Sequence, residues 1–263
     1  MVAFHKGGFG LVIRGVRSFK IGKAQDMNKA IIIGATSGIG KELTKILSQH
    51  GYIVGIAGRR IHLLEELQSD LSTRSLSRQI DVSDSFTAIE KLKSLIAEMD
   101  GVDLVVISAG TGFIDPELPW NKEKETIDVN VLGFAAMANV AYHHFVHQGS
   151  GHLVGISSIA AIRGGAAPAY NASKAFVSNY LQGFRYKVAK LGLPILVTDI
   201  QPGFVDTAMA KGEGLFWVVS PQKAALQIYE IIKRRKKHAY ITKRWRFIGW
   251  ALKIMPDFVY QKL

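Results

Sequence analysis

Short apolar runs alternate with longer stretches of helical period along most of this chain. Runs at 29–33, 52–57, 77–80, 103–107, 151–156, 194–200 and 238–241 read as strands. Segments at 38–50, 61–72, 84–99, 121–147, 170–190 and 221–235 read as helices with one apolar face. Ala30 to Ile33, Leu104 to Ile107 and Ile195 to Val197 are apolar at consecutive positions, as strands buried on both faces are. Gly51 predicts the stop of the first helix. Ser220-Pro221 predicts the start of a late one, with serine as cap and proline at the first turn. Strand–helix alternation on this scale implies βαβ units and a parallel sheet of about seven strands, with helices on both faces.

The 263 residues suffice for one full-size α/β domain and are few for two. There is no internal repeat. With no cysteine, thiolate nucleophiles, disulfides and Cys-ligated metals are excluded. No metal site is expected, and a reducing, cytoplasmic setting fits. The formal charge is +12, but it is unevenly placed. Residues 1–26 carry five Lys/Arg against one acid, and residues 233–263 carry ten against one. The middle of the chain is close to neutral, which argues against a nucleic-acid substrate and for a role of the ends at some surface. The expected organisation is a flexible basic extension at 1–26, a dinucleotide-binding catalytic domain at 27–242, and a basic amphipathic tail at 243–263. No apolar run of the first 26 residues is long enough to span a membrane.

The first strand runs straight into Gly34-Ala35-Thr36-Ser37-Gly38-Ile39-Gly40, which opens the first helix. Glycines permit the turn and let a pyrophosphate come close to the backbone. The free N–H groups and the dipole of the helix start then face its charge. Strand before and helix after make this a dinucleotide-binding turn in a Rossmann-type doubly wound sheet. The second strand ends in Gly58-Arg59-Arg60, with no acid to bond a ribose 2′-hydroxyl. Two guanidiniums suit a 2′-phosphate, so NADP(H) is preferred, with use of NAD(H) left open.

Tyr170 and Lys174 lie four apart at the start of a helix and so share a face. A cation within about 4–6 Å of a phenol lowers its pKa by about 1–3 units, toward the range of a general acid–base group. Upstream, Ser157 and Ser158 close a strand; downstream, Pro202-Gly203-Phe204-Val205-Asp206-Thr207 follows another. Both places lie at the carboxyl edge of the sheet, where such sheets bind ligands. Over residues 27–235 this combination resembles the short-chain dehydrogenase/reductase family. The resemblance implies hydride transfer between nicotinamide and a carbonyl or secondary alcohol. It makes Tyr170 the proton donor and acceptor, and gives Lys174 the tyrosine pKa and the nicotinamide ribose. It gives Ser158 the substrate oxygen and Asn130 a part in a water-linked proton relay. It places Asp81 and Val82 at the adenine, Ala109 and Gly110 in the loop after the fourth strand, and Pro202, Gly203, Val205 and Thr207 around the nicotinamide.

The chain departs from the family pattern in three places. Ile33 replaces a usual threonine, and Ile107-Ser108-Ala109-Gly110 stands where the family usually reads Asn-Asn-Ala-Gly, so the hydrogen bond the family makes between these two places needs another arrangement. Ser158 lies one residue nearer Tyr170 than usual; Ser157 has the commoner spacing, but the strand end favours Ser158. The segment 208–220 falls where the family has a lid, and Leu215, Phe216 and Trp217 offer it an apolar wall. The tail, with Trp245, Phe247 and Trp250 among lysines and arginines, is expected to pack on a neighbouring subunit or over the cleft. The same composition also suits a membrane interface. The expected protein is an NADP(H)-dependent alcohol dehydrogenase or carbonyl reductase, a homo-oligomer (dimer or tetramer) acting on a small molecule. A dinucleotide-binding regulator without turnover, or a membrane-surface protein acting through its tail, are the other readings. The regulator would be expected to lack Tyr170 or Lys174, and both are present.

Overall fold

The computed structural model describes residues 29–207 and 216–261. The basic extension at 1–26 and most of the expected lid lie outside the described residues.

The chain opens with β1 (Lys29–Ile33), α1 (Gly38–Gln49), β2 (Ile53–Gly58), α2 (Ile61–Ser69), β3 (Ser75–Gln79), α3 (Ser85–Glu98) and β4 (Leu104–Ile107). Then come α4 (Trp120–Ile127), a π-helical turn (Asp128–Gly133), α5 (Phe134–Gln148), β5 (Gly151–Ile156), a 3-10 turn (Ile159–Ala161) and α6 (Pro168–Leu191). The last described elements are β6 (Ile195–Pro202), α7 (Pro221–Lys233), β7 (His238–Ile241), α8 (Trp245–Ile254) and α9 (Asp257–Tyr260). All seven strands are parallel, in the order β3-β2-β1-β4-β5-β6-β7. The order reverses at β1, and Ile33 lies level with Ala57 of β2 and Ile107 of β4. Three strands therefore end together at the switch point, where a doubly wound sheet opens a crevice.

Residues alternate across the sheet and fill two cores. Ile31, Ile33, Val105 and Ile107 pack with Leu92 and Leu95 of α3, Phe145 of α5 and Leu181 of α6. Ala30, Ile32, Leu104 and Val106 pack with Leu43 and Leu47 of α1, Leu64 of α2 and Ile228 of α7. Each large aliphatic side chain so buried contributes about 1.5–3 kcal/mol. The apolar β1 is therefore both the centre of the sheet and the rigid base of the turn that follows it. Ser220 caps α7 by accepting the Lys223 N–H, with Pro221 in the first turn.

Two expectations need correction. The third strand, expected at 77–80, lies at 75–79; it is a half-exposed edge strand, Ser-Leu-Ser-Arg-Gln, with little apolar pattern to locate it. The single helix expected over 121–147 is divided by the π-helical turn around Asn130. Such turns insert an extra residue and re-aim side chains, commonly at functional sites.

His152 of β5 is fully buried, and its Nε2 lies 2.7 Å from the Thr198 Oγ1. The Thr198 hydroxyl donates its own proton to the Lys236 carbonyl, so Nε2–H is the donor to Thr198. Burial, with the Arg235 charge added, pushes the His152 pKa from 6.5 down to about 3. Above pH 6.5 both folded and unfolded chains hold this imidazole neutral. Below it, only the unfolded chain takes up the proton. Stability should therefore fall as pH drops from about 6.5 toward about 3, by up to about 1.4 kcal/mol per unit from this group. Denaturant titrations across that range should show a shallower fall for His152→Gln than for the native chain; equal slopes would remove His152 as the cause.

Candidate active site

The turn after β1 sits at the switch point. Gly34 has φ +91°, and a β-carbon there would overlap the backbone of Ala109. Only glycine fits both demands. Ile33 fills the core with its side chain, while its carbonyl accepts the Ser108 and Ala109 amides at 2.8 and 2.9 Å. The departure at Ile33 is thus resolved by the backbone, which joins β1 to the loop after β4 without a polar side chain. Ser37 stands at the N-cap position of α1 in extended backbone and makes no side-chain capping bond, so the amides of Gly38, Ile39 and Gly40 open the first turn. Thr207, from the loop after β6, brings its methyl group to 3.2 Å from where a Gly38 β-carbon would stand.

Arg60 donates to the Thr36 hydroxyl at 2.7 Å and to the Ser37 hydroxyl at 3.1 Å. Its guanidinium therefore lies on the glycine turn itself. Arg59 points to Glu125 of α4, at 3.8 Å. Asp81 is exposed and accepts the amide and hydroxyl of Ser83, whereas Val82 is buried under Gly133.

Four of the expected residues converge at the carboxyl ends of β4 and β5. Tyr170 and Lys174 project from the first turns of α6, and Ser158 follows β5. The Ser158 hydroxyl hydrogen-bonds Tyr170 and also caps the 3-10 turn through the Ala160 amide. Lys174 is buried; its Nζ donates to the Ile156 carbonyl at 3.0 Å and lies 5.6 Å from the centre of the Tyr170 ring. Asn130, buried in the π-helical turn, accepts the Thr111 amide at 2.9 Å. Its Nδ2 donates to the Thr111 carbonyl and to the Ser173 hydroxyl. Ser173 in turn donates to the Tyr170 carbonyl at 2.8 Å, which ties the asparagine to the tyrosine's own helix. A β-carbon on Gly110 would stand 3.3 Å from both Asn130 Oδ1 and Lys174 Nζ. Ser157 turns the other way, donating to Asp199 and to the Ile200 carbonyl. The two serines are thus separated by geometry, and Ser158 is the one beside the phenol.

The electrostatics differ from the simple pairing of a phenol with a cation. Burial raises the Tyr170 pKa above its ordinary value, and the Ser158 hydroxyl offsets part of this. Burial also lowers the Lys174 pKa to about 8, against the pull of the Asp199 carboxylate. Loss of hydration outweighs the charge of Lys174, whose ammonium bonds the Ile156 carbonyl.

Several contributors carry no sequence signal of their own: the Ile156 carbonyl, the Thr111 backbone, Gly112 against the Tyr170 ring, and Asp199. Ser173 was visible within Tyr170-Asn171-Ala172-Ser173-Lys174, but only the fold turns its hydroxyl to Asn130. Gly203 has a second reason to be glycine. The Trp245 indole of α8 lies against it, and a β-carbon there would overlap the ring. Val205 is buried and bridges to Val219. Phe204, Phe216 and Trp217 surround Trp245, with Phe216 stacked on it at 5.2 Å between centroids. The tail thus packs on the loop after β6 of its own chain.

The chain matches the short chain dehydrogenase family over residues 28–215. It is 37% identical over 186 residues to an uncharacterized oxidoreductase of Myxococcus xanthus, covering 68% of this chain and 73% of that one. An uncharacterized oxidoreductase of Mycobacterium tuberculosis is 30% identical over 224 residues, covering 81% and 87%. Among solved structures, a closed form of serine dehydrogenase complexed with NADP+ superposes with a TM-score of 0.71 at 28% identity, covering 78% of this chain and 88% of that one. An alcohol dehydrogenase from Thermococcus sibiricus shares the fold, with a TM-score of 0.73 at 23% identity over 82% and 96% of the two chains.

The Gly203–Trp245 contact predicts an energetic coupling. Gly203→Ala should cost about 1–3 kcal/mol, since overpacking forces the ring or the loop to move. The Trp245 indole N–H is buried without a hydrogen-bond partner among the described residues, so Trp245→Phe loses packing alone. In the Trp245→Phe background the cost of Gly203→Ala should shrink by at least about 1 kcal/mol in a double-mutant cycle. Equal cost in both backgrounds would rule the contact out as the constraint.

Proposed function

The chain belongs to the short-chain dehydrogenase family and is an oxidoreductase of that family; from this we propose that it is an NADP(H)-dependent enzyme interconverting a carbonyl compound and a secondary alcohol. The observation that carries the reading is the convergence of Tyr170, Ser158, Lys174 and Asn130 at one sheet edge. The cofactor fits the residues beside them. The glycine turn sets the first-turn amides of the 12-residue α1 at the switch point with no side chain at Gly34, Gly38 or Gly40, and Arg60 adds a cation beside them. No acid stands at the end of β2 to favour an unphosphorylated ribose. A family relative of known structure, the serine dehydrogenase, is described with NADP+ bound, which supports the same preference.

The chain's residues then have defined work. When bound, the nicotinamide supplies the hydride that a carbonyl carbon accepts. Tyr170 gives the carbonyl oxygen its proton, so that one hydride and one proton turn C=O into CH–OH. In the opposite direction Tyr170 takes the proton back. Ser158, already bonded to that phenol, orients the same oxygen. Lys174 is a cation beside the phenol and favours the phenolate left when the proton departs. Asn130 is held rigidly by Thr111 and Ser173 and supports proton resupply near Lys174. Gly34, Thr36, Ser37, Gly38, Ile39, Gly40, Arg59 and Arg60 hold the phosphate side; Asp81, Val82, Ala109 and Gly110 line the adenine and ribose side. Pro202, Gly203, Val205 and Thr207 form the nicotinamide side. The wall of Phe204, Phe216, Trp217 and Trp245 suits an apolar carbonyl compound.

The test is NADPH consumption over a panel of carbonyl compounds, followed by absorbance. Tyr170→Phe should lower turnover by about 10²–10⁴-fold while leaving the Kd for NADPH nearly unchanged. Retained turnover would overturn the assignment of Tyr170. Arg60→Ala should weaken NADPH by about tenfold or more with little effect on NADH, and Arg59→Ala should act in the same direction. Equal weakening of both cofactors would overturn the preference for NADP(H).

A further inference from the structure

The outward face of the tail is not used by the site. α8 buries Trp245 and Gly249 against the sheet edge: Trp245 on Gly203, and Gly249 against Ile159, Ile162 and Tyr240. The opposite face presents Phe247, Trp250 and Ile254, each 60–65% exposed, and α9 adds Phe258 at 69%. Residues three and four apart share a helix face, so Phe247, Trp250 and Ile254 form one stripe and Arg246 and Lys253 flank it. Lys243 and Arg244 are exposed at the helix start. The sole acid from residue 233 onward is Asp257, and it is paired with Arg163. The helix is also braced from beneath: Arg163 donates to the Leu252 and Met255 carbonyls, and Tyr260 to the Gly164 carbonyl. The face is therefore held rigid, with large apolar tips exposed and cations beside them.

We propose that this α8–α9 face docks on an anionic lipid bilayer, with Phe247, Trp250, Ile254 and Phe258 entering the interface. Charge decides the occupant. A two-fold contact between copies would set Arg246 and Lys253 of one face against the same cations of the other, with Asp257, the one acidic side chain of this segment, already paired with Arg163. A negative lipid surface complements the cations, and aromatic side chains among cations are the composition of helices that lie in an interface. No helix among the described residues is long and apolar enough to cross a membrane, so the contact lies on the bilayer and does not span it. The inward side of α8 packs through Trp245 on Gly203, so the docked face lies behind the loop that follows β6.

The test uses the full chain in sedimentation with vesicles of phosphatidylcholine alone and of phosphatidylcholine with phosphatidylserine. Binding is expected to the mixed vesicles, to fall with added salt, and to be weak on phosphatidylcholine alone. Phe247→Ser with Trp250→Ser should lower partitioning by at least about tenfold, and Arg246→Gln with Lys253→Gln should do the same. These side chains are exposed, so both variants should keep native circular dichroism and NADPH binding. A native chain that stays in the supernatant with mixed vesicles would overturn the proposal. So would vesicle binding unchanged in both double variants. If the native chain is a dimer by sedimentation velocity and Phe247→Ser with Trp250→Ser makes it monomeric, the face belongs to a second copy and the proposal fails.

Discussion

At the carboxyl end of β1 the Ile33 carbonyl accepts two amides of the loop after β4, and Gly34 lies against the backbone of that same loop. This contact joins the two central strands where the sheet order reverses. It fixes the glycine turn relative to Ala109 and Gly110. Gly110 in turn stands beside Asn130 and Lys174. The glycine turn and the buried Asn130 and Lys174 are thus placed by one short stretch of backbone. Two backbone hydrogen bonds carry it, which frees position 33 to be apolar. The isoleucine then adds core burial that a polar residue at that position would forgo.

The second constraint is burial of ionisable groups. Tyr170 is pushed toward its neutral form and Lys174 toward its own, because neither is well hydrated. The fold offsets this with fixed dipoles and one carboxylate. The Ile156 carbonyl takes a proton of Lys174, the Ser158 hydroxyl bonds Tyr170, and Asp199 opposes the downward shift of the lysine. Asp199 is itself satisfied by Ser157, Ser178 and Gln201. Ser157 therefore has a role that explains its presence next to Ser158: it serves the carboxylate behind the lysine. Paired serines at a strand end face opposite sides, and the two sides have different electrostatic tasks.

Much of this was legible in the sequence. Consecutive apolar residues in β1, β4 and β6 marked doubly buried strands, and the glycine turn announced itself by its place between strand and helix. The edge strand β3 was blurred because Ser75, Ser77 and Arg78 need not be apolar where one side is open to water. The π-helical turn was invisible, since Asn130 interrupts no apolar period; the cause is its three hydrogen bonds to Thr111 and Ser173, which are remote in sequence. The upward shift of the Tyr170 pKa is illegible in the sequence for a similar reason. Spacing reports that Tyr170 and Lys174 share a face, but not how far water is excluded from them. The choice between Ser157 and Ser158 also needed the third dimension, because spacing and strand end disagreed.

The tail shows how one short helix can serve two environments. Its inner face depends on two glycines, Gly203 below Trp245 and Gly249 above Ile159 and Ile162, which allow close approach at both ends of the contact. A glycine inside a helix costs about 1 kcal/mol relative to alanine. At Gly249 that cost is offset by packing that a β-carbon would block. The outer face keeps Phe247, Trp250 and Ile254 in water, where they contribute nothing to this chain's core. Singly exposed apolar residues are ordinary, but a stripe of them on a braced helix, beside an Arg246 that lies over the Phe247 ring and an exposed Lys253, is a surface shaped for contact. Because Trp245 and Trp250 belong to the same ten-residue helix, a load on the outer face would reach the loop at Gly203 through a rigid element, and so reach the edge of the sheet where Ser158 and Tyr170 stand.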